Sequence, residues 1–187
     1  MLAEEKWTEN FALAAGTSLA LRFGHRISID LDFFTTSPFD SLELSKELSL
    51  RYPTRIMAQS NNAISAVVRD VKVDFVTYRY PLLKPVELIE GVRFLSLEDV
   101  TAMKFAELTN RGSKKDFYDA DLLIAKLGLA EVLGIYMQKF PNHDPLIVLR
   151  SLTYFFDAES EPAPESLAGQ TWPSVKNRVS QSVRTIL

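Results

Sequence analysis

Nine consecutive residues, "RISIDLDFF" (26–34), alternate apolar and polar side chains: Ile27, Ile29, Leu31 and Phe33 against Ser28, Asp30 and Asp32. A period of two belongs to a strand with one face on a core and the other facing away from it. Residues i and i+2 on a strand point the same way, so Asp30 and Asp32 place two carboxylates side by side. Like charges that close repel, and each group then favours protonation or solvation. The chain must therefore build a sheet that carries concentrated negative charge on the face opposite its core. Such a face can simply be solvated. The alternative is a divalent cation, because Mg²⁺ takes oxygen ligands and is commonly held by one or two carboxylates together with substrate phosphates and water.

The segments around this strand set the fold class. "NFALAAG" is an apolar run ending at glycine, and "TSLALRFG" has helical composition with Thr/Ser at its start and Gly24 at its end. After a turn at "SPFD", "SLELSKELSLRY" reads as a helix, followed by three strand-like pieces, "TRIMAQ", "AISAVVR" and "VKVDFVTY". Only Arg69-Asp70 separates the last two, a hairpin signal without glycine. From "SLEDVTAMKFAELTNRG" onward the pattern is helical, with Ser96 and Asp99 spaced as a capping box and Gly112 closing the element. "KKDFYDADLLIAKLG" is a second helix, and more follow to about residue 156. "DAESEPAPES" (157–166) reads as an exposed linker before a last helix carrying Val175, Val179, Val183 and Ile186 at helical spacing. Strands followed by a run of helices is α+β ordering: a mixed, mostly antiparallel sheet with flanking helices, then a helical C-terminal half. The expected division is 1–90 for the α/β core and 91–187 for the helices, packed as a single compact unit. With 187 residues, 47% of them hydrophobic, a core of ordinary size is within reach.

Two further groups bear on the aspartates. Asp74, in "VKVDF", lies on the polar face of its strand with Lys72 and Val76, while Val71, Val73 and Phe75 share the other face. If that strand lies beside 27–34, three acids converge on one or two metal sites, the arrangement that clamps both oxygens of an in-line phosphoryl displacement. Upstream, Gly16-Thr17-Ser18 falls between an apolar strand and a helix start. Glycine there lets backbone approach a phosphate, and the free N–H groups of a helix N-terminus favour its charge. In the helical half, Asp116 and Asp119 share a helix face and Lys115 stands four residues before Asp119, a pattern that an ordinary surface ion pair also produces. Lys104 lies in an amphipathic helix, where lysines commonly cover the rim of a core.

The absence of cysteine excludes a disulfide framework and a thiolate zinc site. The acidic start "MLAEEKW" lacks the apolar region of a signal peptide, and no apolar run is long enough to cross a bilayer. A cytoplasmic protein with no membrane partner is expected. The net charge of −3 argues against a surface that coats nucleic acid, though not against a local basic patch. His25 fits a helix C-terminus, Arg22 or Arg26 could meet phosphates, and His143 reads as a loop residue. Phe155, Phe156 and Trp172 read as core or interface rather than a base-stacking platform.

"LAAGTSLALRFGHRISIDLDFF" resembles the first motif of the AbiEii/AbiGii toxin nucleotidyltransferases, a branch of the DNA-polymerase-β-like nucleotidyltransferase superfamily. "SLEDVTAMKFAELTNRGSKKDFYDADLLI" is similar to the later motifs of that family, a helical lysine followed by an arginine and then Lys-Asp-x-x-Asp. The resemblance spans residues 11 to 127. It implies Asp30, Asp32 and Asp74 as metal ligands and catalytic acids, and Gly16, Thr17 and Ser18 as the phosphate turn. Lys104, Lys115, Asp116 and Asp119 become a helical cluster facing the nucleotide, with Lys104 and Asp116 catalytic and Lys115 and Asp119 nucleotide-binding. The implied cofactor is Mg²⁺, with Mn²⁺ as a substitute, and the substrate an NTP. The implied partners are an acceptor RNA such as tRNA and an antitoxin protein, in a bacterial toxin–antitoxin or phage-defence pair. Two departures stand out. Ala15 occupies the first position of a turn that is usually Gly-Gly, and the chain begins just upstream of the first motif, where relatives carry a further helical segment. Two other readings remain open: an enzyme on this scaffold that modifies a small alcohol, and a nucleotide-binding or interaction module without catalysis.

Overall fold

The structure, a computed structural model, describes residues 9–186, so the acidic stretch "MLAEEKW" lies outside the described residues. The chain falls into two compact units. One holds the residues up to Ser18 and Ser28–Ser96, and the other holds Leu19–Ile27 and Leu97 onward. No helix among the described residues is long and apolar enough to cross a membrane.

The first unit is a mixed sheet. Its strands are β1 (Ala12–Leu13), β2 (Leu31–Thr35), β3 (Thr54–Ser60), β4 (Ala63–Val68), β5 (Val71–Thr77), β6 (Glu87–Ile89) and β7 (Val92–Phe94). They are ordered β3-β4-β5-β2-β1-β7-β6. The β2–β5 and β1–β7 pairs are parallel and the other four are antiparallel. Alternation explains the core: Phe33 from β2, Ile64, Ala66 and Val68 from β4, and Val73 and Phe75 from β5 are all buried on it. Helix α2 (Ser41–Arg51) adds Leu44 and Leu48 to that core. Asp40 caps α2, accepting from the backbone N–H groups of Leu42 and Glu43. Phe33 and Phe75 stack across the parallel pair with centroids 5.3 Å apart.

The structure corrects the expected strand 26–34. Pairing within the sheet begins only at Leu31, and Ile27 and Ile29 are exposed rather than core. The beginning of that segment bonds elsewhere: Ile27 donates to the Glu165 carbonyl at 2.9 Å, and the His25 carbonyl accepts from Leu167 at 2.8 Å. The acidic stretch 157–166 is accordingly no free linker. Its first residues belong to the short helix α7 (Phe156–Glu159), and its end forms a β-bridge from Ser166 to Arg26. Alternation in the sequence records which side chains could share a strand, whereas the partner strand is set by distant residues.

The hairpin β6–β7 has no counterpart in the sequence reading. Its signal was Glu90-Gly91 between two apolar runs, and both residues have positive φ, 49° and 80°.

The second unit is helical. It comprises the C-terminal part of α1 (Ala15–Phe23), with α3 (Leu97–Asn110), α4 (Lys114–Leu127), α5 (Leu129–Lys139), α6 (Pro145–Leu152), α7 and α8 (Trp172–Ile186). Helix α8 buries Val175, Val179 and Val183 at four-residue spacing, but Ile186 at its end is partly exposed. Asp99, in the first turn of α3, is fully buried and ion-paired to the buried Lys139 of α5.

At the β4–β5 turn Arg69 and Asp70 have φ of 48° and 66°, the left-handed pair of a type I′ turn in a place where neither residue is glycine. Asp70→Gly removes the Cβ penalty at the second position while leaving Arg69 over the Tyr52 ring, 4.9 Å from its centroid. The variant is expected to gain about 0.5–1 kcal/mol in urea unfolding. No gain would mean that the Asp70 side chain offsets the strain.

Candidate active site

Parallel pairing of β2 with β5 sets Asp32 directly opposite Asp74, with Leu31 opposite Val73 and Phe33 opposite Phe75. The two acids therefore leave the same face of adjacent strands, and Asp30 immediately precedes β2. Asp74 Oδ2 accepts from Lys72 Nζ at 2.8 Å, while Asp74 Oδ1 is buried with no hydrogen-bond partner. The Asp74 hydrogen bond is the main influence holding the Lys72 ammonium above its ordinary pKa. Partial burial works against it, and the charges of Asp74, Asp30 and Asp32 add to it. All three carboxylates thus act on one lysine.

As they stand, no three His, Asp or Glu side chains among the described residues close into a group that could hold a metal ion. The donor set nonetheless suits a hard cation. It consists of carboxylate oxygens alone, and one of them, Asp74 Oδ1, is a buried acceptor that protein leaves unsatisfied.

The glycine turn is tied to these acids by hydrogen bonds within the first unit. Ala14 donates to the Asp32 carbonyl at 2.8 Å, and the Thr17 hydroxyl donates to the Asp30 carbonyl. Thr17 Oγ1 also lies 2.8 Å from Ser28 Oγ, and Ser18 Oγ donates to the Ala15 carbonyl at 2.8 Å. Gly16, Thr17 and Ser18 are all buried, in the first turn of α1. The two hydroxyls are thus bonded to the chain itself, and they brace the turn. Ala15 has φ of 54°. The residue forced into the left-handed region is the alanine, at the position where the resembling family places its first glycine.

The second unit gathers Lys104, Asp116 and Asp119 into a buried network. Asp119 is fully buried: Oδ1 accepts from His25 Nε2 at 2.8 Å and Arg26 Nε at 2.6 Å, and Oδ2 from the Arg26 terminal nitrogen at 2.8 Å. Lys104 Nζ lies 2.6 Å from Glu107, 2.9 Å from Asp116 and 3.4 Å from Asp119. Ser113, the N-cap of α4, gives Asp116 Oδ2 its backbone N–H at 3.2 Å and its hydroxyl at 2.6 Å. Burial opposes the charge on Asp119, but Lys104 and the hydrogen bonds from His25 and Arg26 outweigh it and hold the carboxyl well below its usual range. Asp116 is lowered in the same way by Lys104 and Ser113 against its burial. Burial likewise pushes Lys104 down, yet Asp119, Glu107 and Asp116 hold its pKa far above the ordinary value. Lys115 is exposed on α4, unlike the other three.

Four participants were not singled out from the sequence as members of these clusters. Lys72 could have been found as the cation two residues before Asp74 on the same strand face. Arg26 was weighed only as a phosphate contact, and His25 only as a helix-end residue; nothing local signals that Asp119, 93 residues from Arg26, takes both. Lys114 is buried, its ammonium donating to the Glu159 and Glu161 carbonyls, whereas the neighbouring Lys115 faces out.

Two outcomes follow from this geometry. Ala15→Gly is expected to raise stability by about 1 kcal/mol in urea unfolding, since glycine adopts the left-handed region without strain. Asp119→Asn is expected to cost about 3–5 kcal/mol at neutral pH, because Arg26 and Lys104 lose a buried counter-charge. Asp116 and Asp119 have lowered pKa values in the folded state, so unfolding takes up protons in acid. Their stabilisation is complete above the unfolded carboxylate pKa of about 4 and drains away as the pH falls below it. Wild-type stability measured from about pH 7 to about pH 3 should therefore fall more steeply than that of Asp119→Asn. Equal slopes would remove the network from the account of acid unfolding.

Comparison with known proteins bears on the family and the fold. The model of the nucleotidyl transferase AbiEii toxin family, of type IV toxin–antitoxin systems, matches residues 1–81. An uncharacterised protein of Aquifex aeolicus is 39% identical over 158 residues, covering 81% of this chain and 77% of its own length. The fold is shared with JHP933 of Helicobacter pylori, at TM-score 0.58 and 18% identity over 99% of this chain and 85% of that one. It is shared too with MenT4, a nucleotidyltransferase toxin of Mycobacterium tuberculosis, at TM-score 0.54 and 16% identity over 94% and 75% of the two chains. The chain belongs to the AbiEii family of nucleotidyltransferase toxins.

Proposed function

We propose that the protein transfers a nucleoside monophosphate from an NTP to a hydroxyl of an acceptor RNA, with tRNA as the acceptor class, in a reaction that requires Mg²⁺. In the cell it would act as the toxin of a type IV pair in phage defence, restrained by a cognate antitoxin protein. The observation that carries the reading is the register of Asp32 against Asp74, with Asp30 one residue before β2 and Asp74 Oδ1 buried without a partner. A catalytically inactive module has no use for a third acid placed opposite the Asp-x-Asp pair.

Asp30, Asp32 and Asp74 would hold the cation, Mg²⁺ or Mn²⁺, which when bound neutralises charge on the triphosphate and makes the attacking hydroxyl more acidic. The transfer forms a bond from the acceptor oxygen to the α-phosphorus and breaks the bond from that phosphorus to the bridging oxygen, releasing pyrophosphate. Asp74 takes the proton of the attacking hydroxyl. Backbone N–H groups at the start of α1, around Gly16, meet the nucleotide phosphates with the help of the helix dipole. Thr17 and Ser18 keep that turn in shape through their bonds to the Asp30 and Ala15 carbonyls. In the helical unit, Lys104, Asp116 and Asp119 act by position: Asp119 grips Arg26, four residues before Asp30 in the chain. Lys115, exposed on α4, supplies positive charge to a phosphate.

The reading is tested by incubating the protein with each α-labelled NTP, Mg²⁺ and total bacterial RNA. Label should enter one RNA size class and fall to background with EDTA or with the Asp30→Asn/Asp32→Asn double variant. No transfer from any NTP, by protein that binds Mn²⁺ and nucleotide, would overturn it.

A further inference from the structure

Lys72 stands on the polar face of β5, two residues before Asp74, with its ammonium 2.8 Å from Asp74 Oδ2. An exposed lysine paired with a neighbouring acid is ordinarily a surface ion pair worth little to stability. Two features set this one apart. Its partner is the carboxylate opposite Asp32, whose other oxygen is buried and unsatisfied. And the strand that carries Lys72 and Asp74 pairs in parallel with the one that carries Asp32 and that Asp30 immediately precedes. A positive charge at such a place does what a metal ion would do: it offsets the repulsion between neighbouring carboxylates.

We propose that Lys72 is a positioning residue that serves as the resident counter-cation of the acid cluster, holding Asp74 while no metal is bound and releasing it to the cation when metal and nucleotide load. This rests on the metal-binding reading of Asp30, Asp32 and Asp74. The exchange is feasible because the Lys72 side chain is half exposed, at 51%, and ends on a flexible stem, so its ammonium can leave Asp74 Oδ2 without disturbing the core. Once displaced, the ammonium remains beside the site, where the phosphates of the nucleotide are the nearest new source of negative charge. The lysine therefore has opposite effects on two ligands: it competes with the cation alone and supports the nucleotide.

The test uses the full chain and two variants, Lys72→Met and Lys72→Gln, each checked for wild-type thermal unfolding. Mn²⁺ alone, followed by electron paramagnetic resonance, should bind the variants about five- to tenfold more tightly than wild type, the scale of removing one partly screened charge. The difference should persist in about 0.5 M KCl, where action at a distance is screened but direct displacement is not. A non-hydrolysable NTP with Mg²⁺ should bind the variants more weakly, and Lys72→Arg should restore its affinity. A merely structural ion pair would not move the two affinities in opposite directions. Mn²⁺ affinities within twofold of wild type, or a difference that vanishes in salt, would overturn the role of Lys72 alone if Mn²⁺ binding is still lost in Asp32→Asn. Absence of Mn²⁺ binding from wild type and both Lys72 variants would overturn this proposal together with the metal-binding reading beneath it.

Discussion

The parallel pairing of β2 with β5 is the constraint on which the first unit depends. A strand alternates its side chains between faces, so one register decides both the core and the charge. With Phe33 opposite Phe75 the aromatic rings stack inside, and with Asp32 opposite Asp74 the acids stand together outside. A slip of one residue would exchange them, burying carboxylates against Leu44 and Leu48 and exposing the phenylalanines. Burial of the aromatic and branched side chains thus secures the placement of the acids. The energy that holds the acids together comes from the opposite face of the same strands.

The helical unit relies on a different interaction. Four buried or nearly buried ionisable side chains, Arg26, Lys104, Asp116 and Asp119, share one network with His25 and Ser113. Removing charges from water is costly, and such a network is tolerable only when each acceptor and donor is matched. Asp119 meets this condition with donors on both oxygens, and Lys104 with three carboxylates around one ammonium. The residues that resemble a family motif in sequence are therefore, in space, a set of mutual partners. The bonds from Asp119 hold Arg26, in the chain segment that leads into Asp30.

Much of this was legible beforehand. The β3, β4 and β5 strands, the helices other than α7, the opposed faces of β5 and the Asp-x-Asp pair all follow from short-range periodicity. The two-residue turn at Arg69-Asp70 was visible despite having no glycine, because the flanking strands were clear. The extent of the first strand was not legible: Ile27 and Ile29 continue the alternation but bond toward 165–167, and only the distant Glu165 and Leu167 decide that. The segment 157–166 reads as low-complexity linker from its composition, yet its backbone and Glu161 supply partners to Ile27 and Lys114.

What the sequence determined by itself is everything that repeats over a few residues: the period of each element, the side of a strand on which a residue lies, the caps and turns, and the spacing of the acids. The tertiary structure decided which faces meet. It set Asp74 opposite Asp32 rather than elsewhere on the sheet, turned Lys104 and Arg26 into partners of Asp119, and placed a left-handed backbone under Ala15. The reason is physical. Periodicity is written in neighbouring residues, whereas register and charge pairing are settled by the joint burial of segments far apart in the chain, whose energies no local stretch contains.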